Sequence, residues 1–389
     1  MTRAEPTSDR HWPKSGFWAA AARPMFALVA IWAVLAVAIW QWLPTLWSNL
    51  PAPVMWHLHE MTFGFAGAAV AGYLLTAVSS WTGRAPVNGR PLIVVACLWV
   101  SVRIGLVVGD AVSYWLVMVP AAAFFWSIAL LLWLEARAAG RGHQPVFVAF
   151  CLLAGIGSAT WIAAMSTGGP APVWSVSPVL GFAFLLVFVG GRMVPAFLVH
   201  SAKWTACPVV VPPDWPRIAV LGLIVTAAGL FLSESQLSAA LALITAGACL
   251  ALFVARWPLF PARTDLLLAM LVLSFLWLPL GLLLWGAALF DLFFTSVEAQ
   301  HGLMMGAMGG LILAISARSF ARRSDDGLKG RRGTGLAFAL VVASVPLRMG
   351  GLLDAAALMW CAGWGLYAWL VLRHAFGPLP RPVFSGARR

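Results

Sequence analysis

Two histidines and a glutamate, His57, His59 and Glu60, stand at the mouth of a segment otherwise made of Phe, Gly, Ala, Val and Leu as far as Trp81. An imidazole can ligate a metal or carry a proton, and a nearby carboxylate can orient it or share that proton. A second segment opens in a similar way. Glu298 and His301 precede Met304, Met305, Met308 and glycines 302, 306, 309 and 310. Ionisable side chains are costly inside an apolar run and mark a task there. Three arginines, Arg103, Arg192 and Arg348, interrupt other apolar runs and are candidate anion ligands.

The spacing links the two segments. His59 is followed by Gly64 and Gly67, and His301 by Gly306 and Gly309, at the same offsets. Each apolar run is then followed by one that ends Arg-x-Gly, at 103–105 and 348–350, with His-to-Arg separations of 44 and 47 residues. This suggests an internal repeat about a pseudo-two-fold axis along the membrane normal. On that axis His59 and His301 would face each other and clamp a haem iron axially. Arg103 and Arg348 would meet its propionates, and the smooth faces at Gly64 and Gly306 would leave room for the macrocycle. His57 and His59 lie about 200° apart on a helix, so they cannot share one metal unless the helix begins between them, and they could serve two neighbouring sites. His57 is then a candidate for a second metal, copper or iron. Glu60 and Glu298 are candidates for proton delivery or for orienting the imidazoles. Arg192 stands in Gly190-Gly191-Arg192-Met193-Val194-Pro195, which reads as a local break in its helix.

The elements that must position these residues are membrane helices. The chain has 389 residues, 62% of them hydrophobic and 10% charged. So much apolar surface cannot be hidden in a soluble protein of this length. We read an all-α fold of twelve spans at 25–46, 58–80, 91–108, 112–134, 145–165, 177–199, 217–233, 236–256, 266–288, 297–316, 334–353 and 355–373. Residues 1–24 form an N-terminal tail, 25–373 the membrane domain and 374–389 a C-terminal tail. The net charge of +12 is a topology signal rather than a mark of nucleic-acid binding. Twenty-two of the 25 Lys and Arg fall in the two tails and in alternate connections. The opposite connections carry only acids, such as Asp110, Glu234, Asp291 and Asp354. Both termini are therefore expected in the cytoplasm. Five separated cysteines without a CxxC pair argue against a disulfide framework and a cysteine zinc site. No cleavable signal peptide is read at the N-terminus.

These residues resemble the NnrS family of haem- and copper-containing membrane proteins. The likeness runs from His57-Leu58-His59-Glu60-Met61-Thr62-Phe63-Gly64-Phe65 through Ala71–Val78 and Trp81-Thr82-Gly83-Arg84. It includes Gly190–Phe197, His301 through Gly309, and Trp364 to the Gly377-Pro378-Leu379 region. Two places depart from the family pattern. Leu198-Val199-His200 follow Phe197, and Ser319–Ser324 stands after span ten without the family's histidine. The resemblance implies a multi-pass protein of the bacterial inner membrane with haem b and copper as a candidate second metal. It implies nitric oxide or a similar diatomic as ligand, and a role in nitrosative stress. Glu60 and Glu298, both near the outer surface, are the only acids read inside the spans, so protons would come from that side and pumping is not expected. The electron donor is left open, as is the choice between a reductase-like enzyme and sensing or storage. The rival readings are a secondary transporter lined by His59, His301 and Arg192, and a non-catalytic haem- or metal-binding scaffold.

Overall fold

A computed structural model describes residues 15–43, 45, 52–108, 113–140, 145–167, 175–204, 213–324, 327–379 and 383. Expectations for residues 1–14, Leu50, Pro51, Asp110, Arg141, the Lys203 side chain, Cys207, 380–382 and 384–389 lie outside these residues.

The described chain is almost wholly helical. Its apolar helices are α1 (Ala22–Trp42), α2 (Pro53–Thr82), α3 (Arg90–Val108), α4 (Tyr114–Ala138), α5 (Pro145–Ser166) and α6 (Val176–Trp204). They continue with α7 (Trp215–Leu232), α8 (Gln236–Val254), α9 (Leu266–Ala288), α10 (Ser296–Phe320), α11 (Thr334–Met349) and α12 (Leu353–His374). Among the described residues, eleven are long and apolar enough to cross a membrane. The twelfth, α11, has 16 residues and spans about 24 Å at 1.5 Å per residue. That is short of a hydrocarbon core of roughly 30 Å. The run read as 334–353 stops early because the chain turns after Met349 through Gly350 and Gly351, the latter at φ +76°. The fold is thus that of an all-α, polytopic membrane protein, with eleven helices among the described residues long enough to span and α11 shorter.

Burial ranks the helices. In α2 and α10, 89% and 83% of the most apolar 18-residue stretch is buried, against 33–61% in the other long helices. These two carry the histidines and form the centre of the bundle. Around them, α1 packs on α2 and α12, and α9 packs on α8 and α10. Large apolar side chains such as Trp115, Val119, Leu153 and Leu252 point outward; a membrane supplies the solvent they need.

Both central helices change character at the same place. Immediately after His59, residues Glu60–Ala66 widen into π-type turns, and α geometry resumes at Gly67. Immediately after His301, Gly302–Gly309 do the same, and α geometry resumes at Gly310. Such turns are rare and often sit at functional sites. The matched offsets seen in the sequence therefore continue as matched backbone geometry.

The bundle's ends are tied together locally. Thr295 and Glu298 form a capping box that starts α10, while Asp265 accepts hydrogen bonds from the Leu267 and Leu268 amides to start α9. Asp354 at the start of α12 accepts hydrogen bonds from Gln41 Nε2 (3.0 Å) and Trp42 Nε1 (3.3 Å) at the end of α1. The two tails are not independent of the bundle. Ser15 bridges Pro378, Gly16 donates to the Phe376 carbonyl, and Phe17 stacks on Phe376. The described ends of the chain thus meet at one end of the molecule. The basic connection after α10 forms a short hairpin, β1 (Arg322–Ser324) and β2 (Gly327–Lys329).

Candidate functional site

The histidine that faces His301 is His57. Their imidazole centres lie 6.2 Å apart with the rings 17° from parallel. Trp40, from α1, stacks on His57 at 4.6 Å. His301 Nδ1 lies 2.7 Å from the Val297 carbonyl oxygen. A carbonyl can only accept, so Nδ1 carries the proton and Nε2 keeps its lone pair, the arrangement a metal-ligating histidine needs. His57 Nδ1 is buried and has no hydrogen-bond partner among the described residues. Two imidazoles bound on opposite sides of one ion, through bonds of about 2.0–2.1 Å, have ring centres roughly 6 Å apart. The separation of the ring centres is of that size, with the two rings stacked near parallel.

His59 turns to the opposite side of α2, as expected for residues about 200° apart on a helix. There its Nδ1 meets Glu60 Oε1 at 2.8 Å and its Nε2 meets Ser158 Oγ, on α5, at 2.9 Å. Glu60 is fully buried and accepts from Arg103 Nε at 3.0 Å. Arg103 also donates to the Trp99 carbonyl and lies over the Trp99 ring at 4.5 Å. The expected His59–His301 clamp is therefore not the ring pair that this structure brings together. Both ring nitrogens of His59 are engaged elsewhere, and Arg103 is committed to Glu60 rather than to an anion at the histidine pair. A buried Glu–Arg pair that also holds a histidine meets the requirement that charges inside an apolar bundle be paired and hydrogen-bonded.

The two glycine faces are filled. A side chain begun at Gly64 would come within 2.7 Å of Glu60 Oε2 and 2.8 Å of Arg103 Nη2. At Gly306 it would run into the Trp277 ring of α9. These glycines admit protein partners closely, so room for a macrocycle would have to lie elsewhere around the histidine pair.

Arg348 is half-buried, and its guanidinium is close enough to act electrostatically on His57, His301 and Glu298. Glu298 itself is used by the cap: its Oε2 accepts from the Thr295 amide at 2.8 Å. Orientation of His301 comes from Val297 instead. Arg192 is exposed on an α6 that runs unbroken through Gly190–Pro195. The glycine pair serves packing there, with Gly190 against Phe275 and Gly191 against the Arg217 side chain. Arg217, in the first turn of α7, is a buried charge that the sequence reading passed over. Asp214 accepts from its Nε and Nη2, both at 2.6 Å. Ser158 and Trp40 were also missed. A lone serine or tryptophan in an apolar span carries no signal of its partner.

Among the described residues no group of three or more His, Cys, Asp or Glu is placed to hold a metal ion. Two imidazoles could serve as the protein ligands of an iron that already holds four ring nitrogens, as in haem. In comparison with known proteins, no curated protein matches the chain. The family described as NnrS protein matches residues 16–378, nearly its whole length. With its apolar helices and its facing histidines on two central spans, the chain belongs to the NnrS family.

Proposed function

We propose that this protein binds haem b between His57 and His301 and uses it to handle nitric oxide in a bacterial cytoplasmic membrane. The observation that carries the reading is the parallel imidazole pair, 6.2 Å apart, with one ring nitrogen left without a partner. Family membership is consistent with a membrane protein of the nitric oxide response. A bound haem would supply an iron able to exchange an electron and take a diatomic ligand.

The chain's own residues would do the rest. Val297 fixes the His301 tautomer, and Trp40 holds the plane of the His57 ring. Arg348, beside both histidines, would neutralise a propionate or another negative group. The buried His59–Glu60–Arg103–Ser158 network would brace α2 against α3 and α5 directly behind the site. Nitric oxide is small and apolar and would reach the site through lipid. The placement of Lys and Arg supports a topology with both termini in the cytoplasm and the histidine pair near the outer surface. The transporter reading loses support from Arg192, whose exposed charge acts on Asp214 rather than at the histidines.

The test is the optical spectrum and iron content of the detergent-purified protein, oxidised and reduced, followed by titration with nitric oxide. A Soret band should shift on nitric oxide addition. Both His57→Ala and His301→Ala should lose the band and the iron, while His59→Ala should retain iron. Wild-type spectra and iron content in both His57→Ala and His301→Ala would sink the proposal. Nitric oxide consumption with an added reductant then separates turnover from binding alone.

A further inference from the structure

The α7–α8 and α9–α10 connections hold all three non-glycine residues whose φ is positive among the described residues: Glu234 (φ 59°), Asp291 (58°) and Phe293 (65°). A residue with a β-carbon is strained there. Glu234 follows α7, and Asp291 follows α9, at the turn where a helix usually ends in glycine. The Ser235 amide closes the first turn on the Leu230 carbonyl at 2.8 Å, and the Leu292 amide closes the second on the Ala287 carbonyl at 3.2 Å. Both positions thus carry a carboxylate where glycine would fit without strain. Strain of this kind gathers at ligand sites.

A cavity of about 550 Å³ lies beside these two connections, a size that suits a small molecule. Phe231, Trp285 and Leu289 form its apolar wall, with the Phe231 ring stacked on Trp285 at 5.6 Å. Glu234, Gln236 and Gln300 line it as well. Among the described residues no protein group hydrogen-bonds or pairs with these three side chains. No Lys or Arg occurs in residues 167–175, 233–236 or 289–300. Arg103 is paired with Glu60, and Arg348 acts on Glu298 and the histidine pair. The cavity is separate from that pair: Gln300 lines it, while His301, about 100° further round α10, faces His57.

We propose that this cavity binds an organic ammonium ion, a primary amine carried on a flat apolar body. The Glu234 carboxylate and the amide oxygens of Gln236 and Gln300 meet the three N–H donors of the ammonium group. The body lies on Phe231, Trp285 and Leu289, and the aromatic wall itself favours a cation. A hydrated metal ion would gain nothing from that wall, and among the described residues no three His, Cys, Asp or Glu gather to hold one. Glu234 and Asp291, in connections without a Lys or Arg, give the mouth a negative field that draws a cation in. The inference is independent of the haem reading.

Equilibrium dialysis of the purified full chain in detergent at low salt, with empty micelles as the blank, tests it. Three probes share one ring system: tryptamine, a cation at neutral pH, tryptophol, which is uncharged, and indole-3-acetate, an anion. Wild type should bind tryptamine saturably and about five-fold more tightly than tryptophol, the upper range for an ion pair partly open to water. Indole-3-acetate should bind most weakly. Glu234→Gly removes the charge from a position that glycine fills without strain, so it should keep the melting temperature and lose the preference. Glu234→Asp should keep most of the preference. Absence of saturable tryptamine binding, or equal affinity for tryptamine and tryptophol, would overturn the proposal. So would an undiminished preference in Glu234→Gly. Displacement of tryptamine by millimolar magnesium as readily as by phenethylamine would also overturn it, by making the site one for a metal ion.

Discussion

Arg103 Nε lies 3.0 Å from Glu60 Oε2, and this ion pair is buried between α3 and α2 with the carboxylate fully enclosed. His59 completes the carboxylate's partners on its other oxygen. Removing one member of such a pair leaves the other charged and without compensation, which costs about 3–5 kcal/mol. Glu60→Gln should therefore lower thermal stability in detergent markedly. Glu60→Gln combined with Arg103→Met should recover part of the loss. A Glu60→Gln protein that melts with wild type would show that the pair does not contribute.

The close approach at Gly306 gives a steric prediction. A methyl group there meets Trp277, and one at Gly64 meets the Glu60–Arg103 pair. Overpacking a tight core costs typically 1–3 kcal/mol. Gly306→Ala should lower the melting temperature, and adding Trp277→Leu should restore much of it by making space. At Gly64 no smaller partner exists, because the obstructing atoms belong to an ion pair, so Gly64→Ala should be the more damaging change. Equal melting temperatures for wild type and Gly306→Ala would contradict the observed packing.

A third prediction concerns acid. Arg217, hydrogen-bonded through two of its nitrogens, holds the Asp214 carboxyl below the usual carboxylate range. A carboxyl whose pKa is depressed by folding adds stability above its unfolded value of about 3.9, and that contribution is lost as pH falls through the lower folded value. Wild type should therefore lose more stability than Asp214→Asn between pH 5 and 3, and the two melting curves should converge at the acid end. The Asp214 side chain is 53% exposed, so the effect should be small and should shrink with added salt. Parallel melting curves across that pH range would argue against the pair.

The N-terminal face of α10 makes a control for all three. Glu298 is tied to Thr295 rather than to His301. Glu298→Ala should loosen the helix start without changing the metal content or spectrum of the protein. A lost Soret band in that variant would mean that the cap residue takes part in the site.

Much of this protein could be read from its sequence, because membrane insertion imposes simple rules. The length and apolarity of the runs located the helices, and the offsets of His59, Gly64, His301 and Gly306 picked out the two spans that occupy the bundle's centre. The widening of both helices after His59 and His301 was not legible in those offsets. Partner choice was not legible. Two residues separate His57 from His59, yet that step turns one ring toward His301 and the other toward Ser158, on a helix about 100 residues further along the chain. Which of the two faces the bundle axis depends on how α2 is rotated against α1, α5 and α10. Period alone does not encode that rotation. In the same way Arg103 and Arg348 occupy similar sequence settings, but only Arg103 has a buried carboxylate within reach. Hydrophobic periodicity and charge placement determined which segments span and which carry costly polar groups. Only the packing of side chains from distant spans decided which of those groups meet, because each needs a partner that its own helix cannot supply.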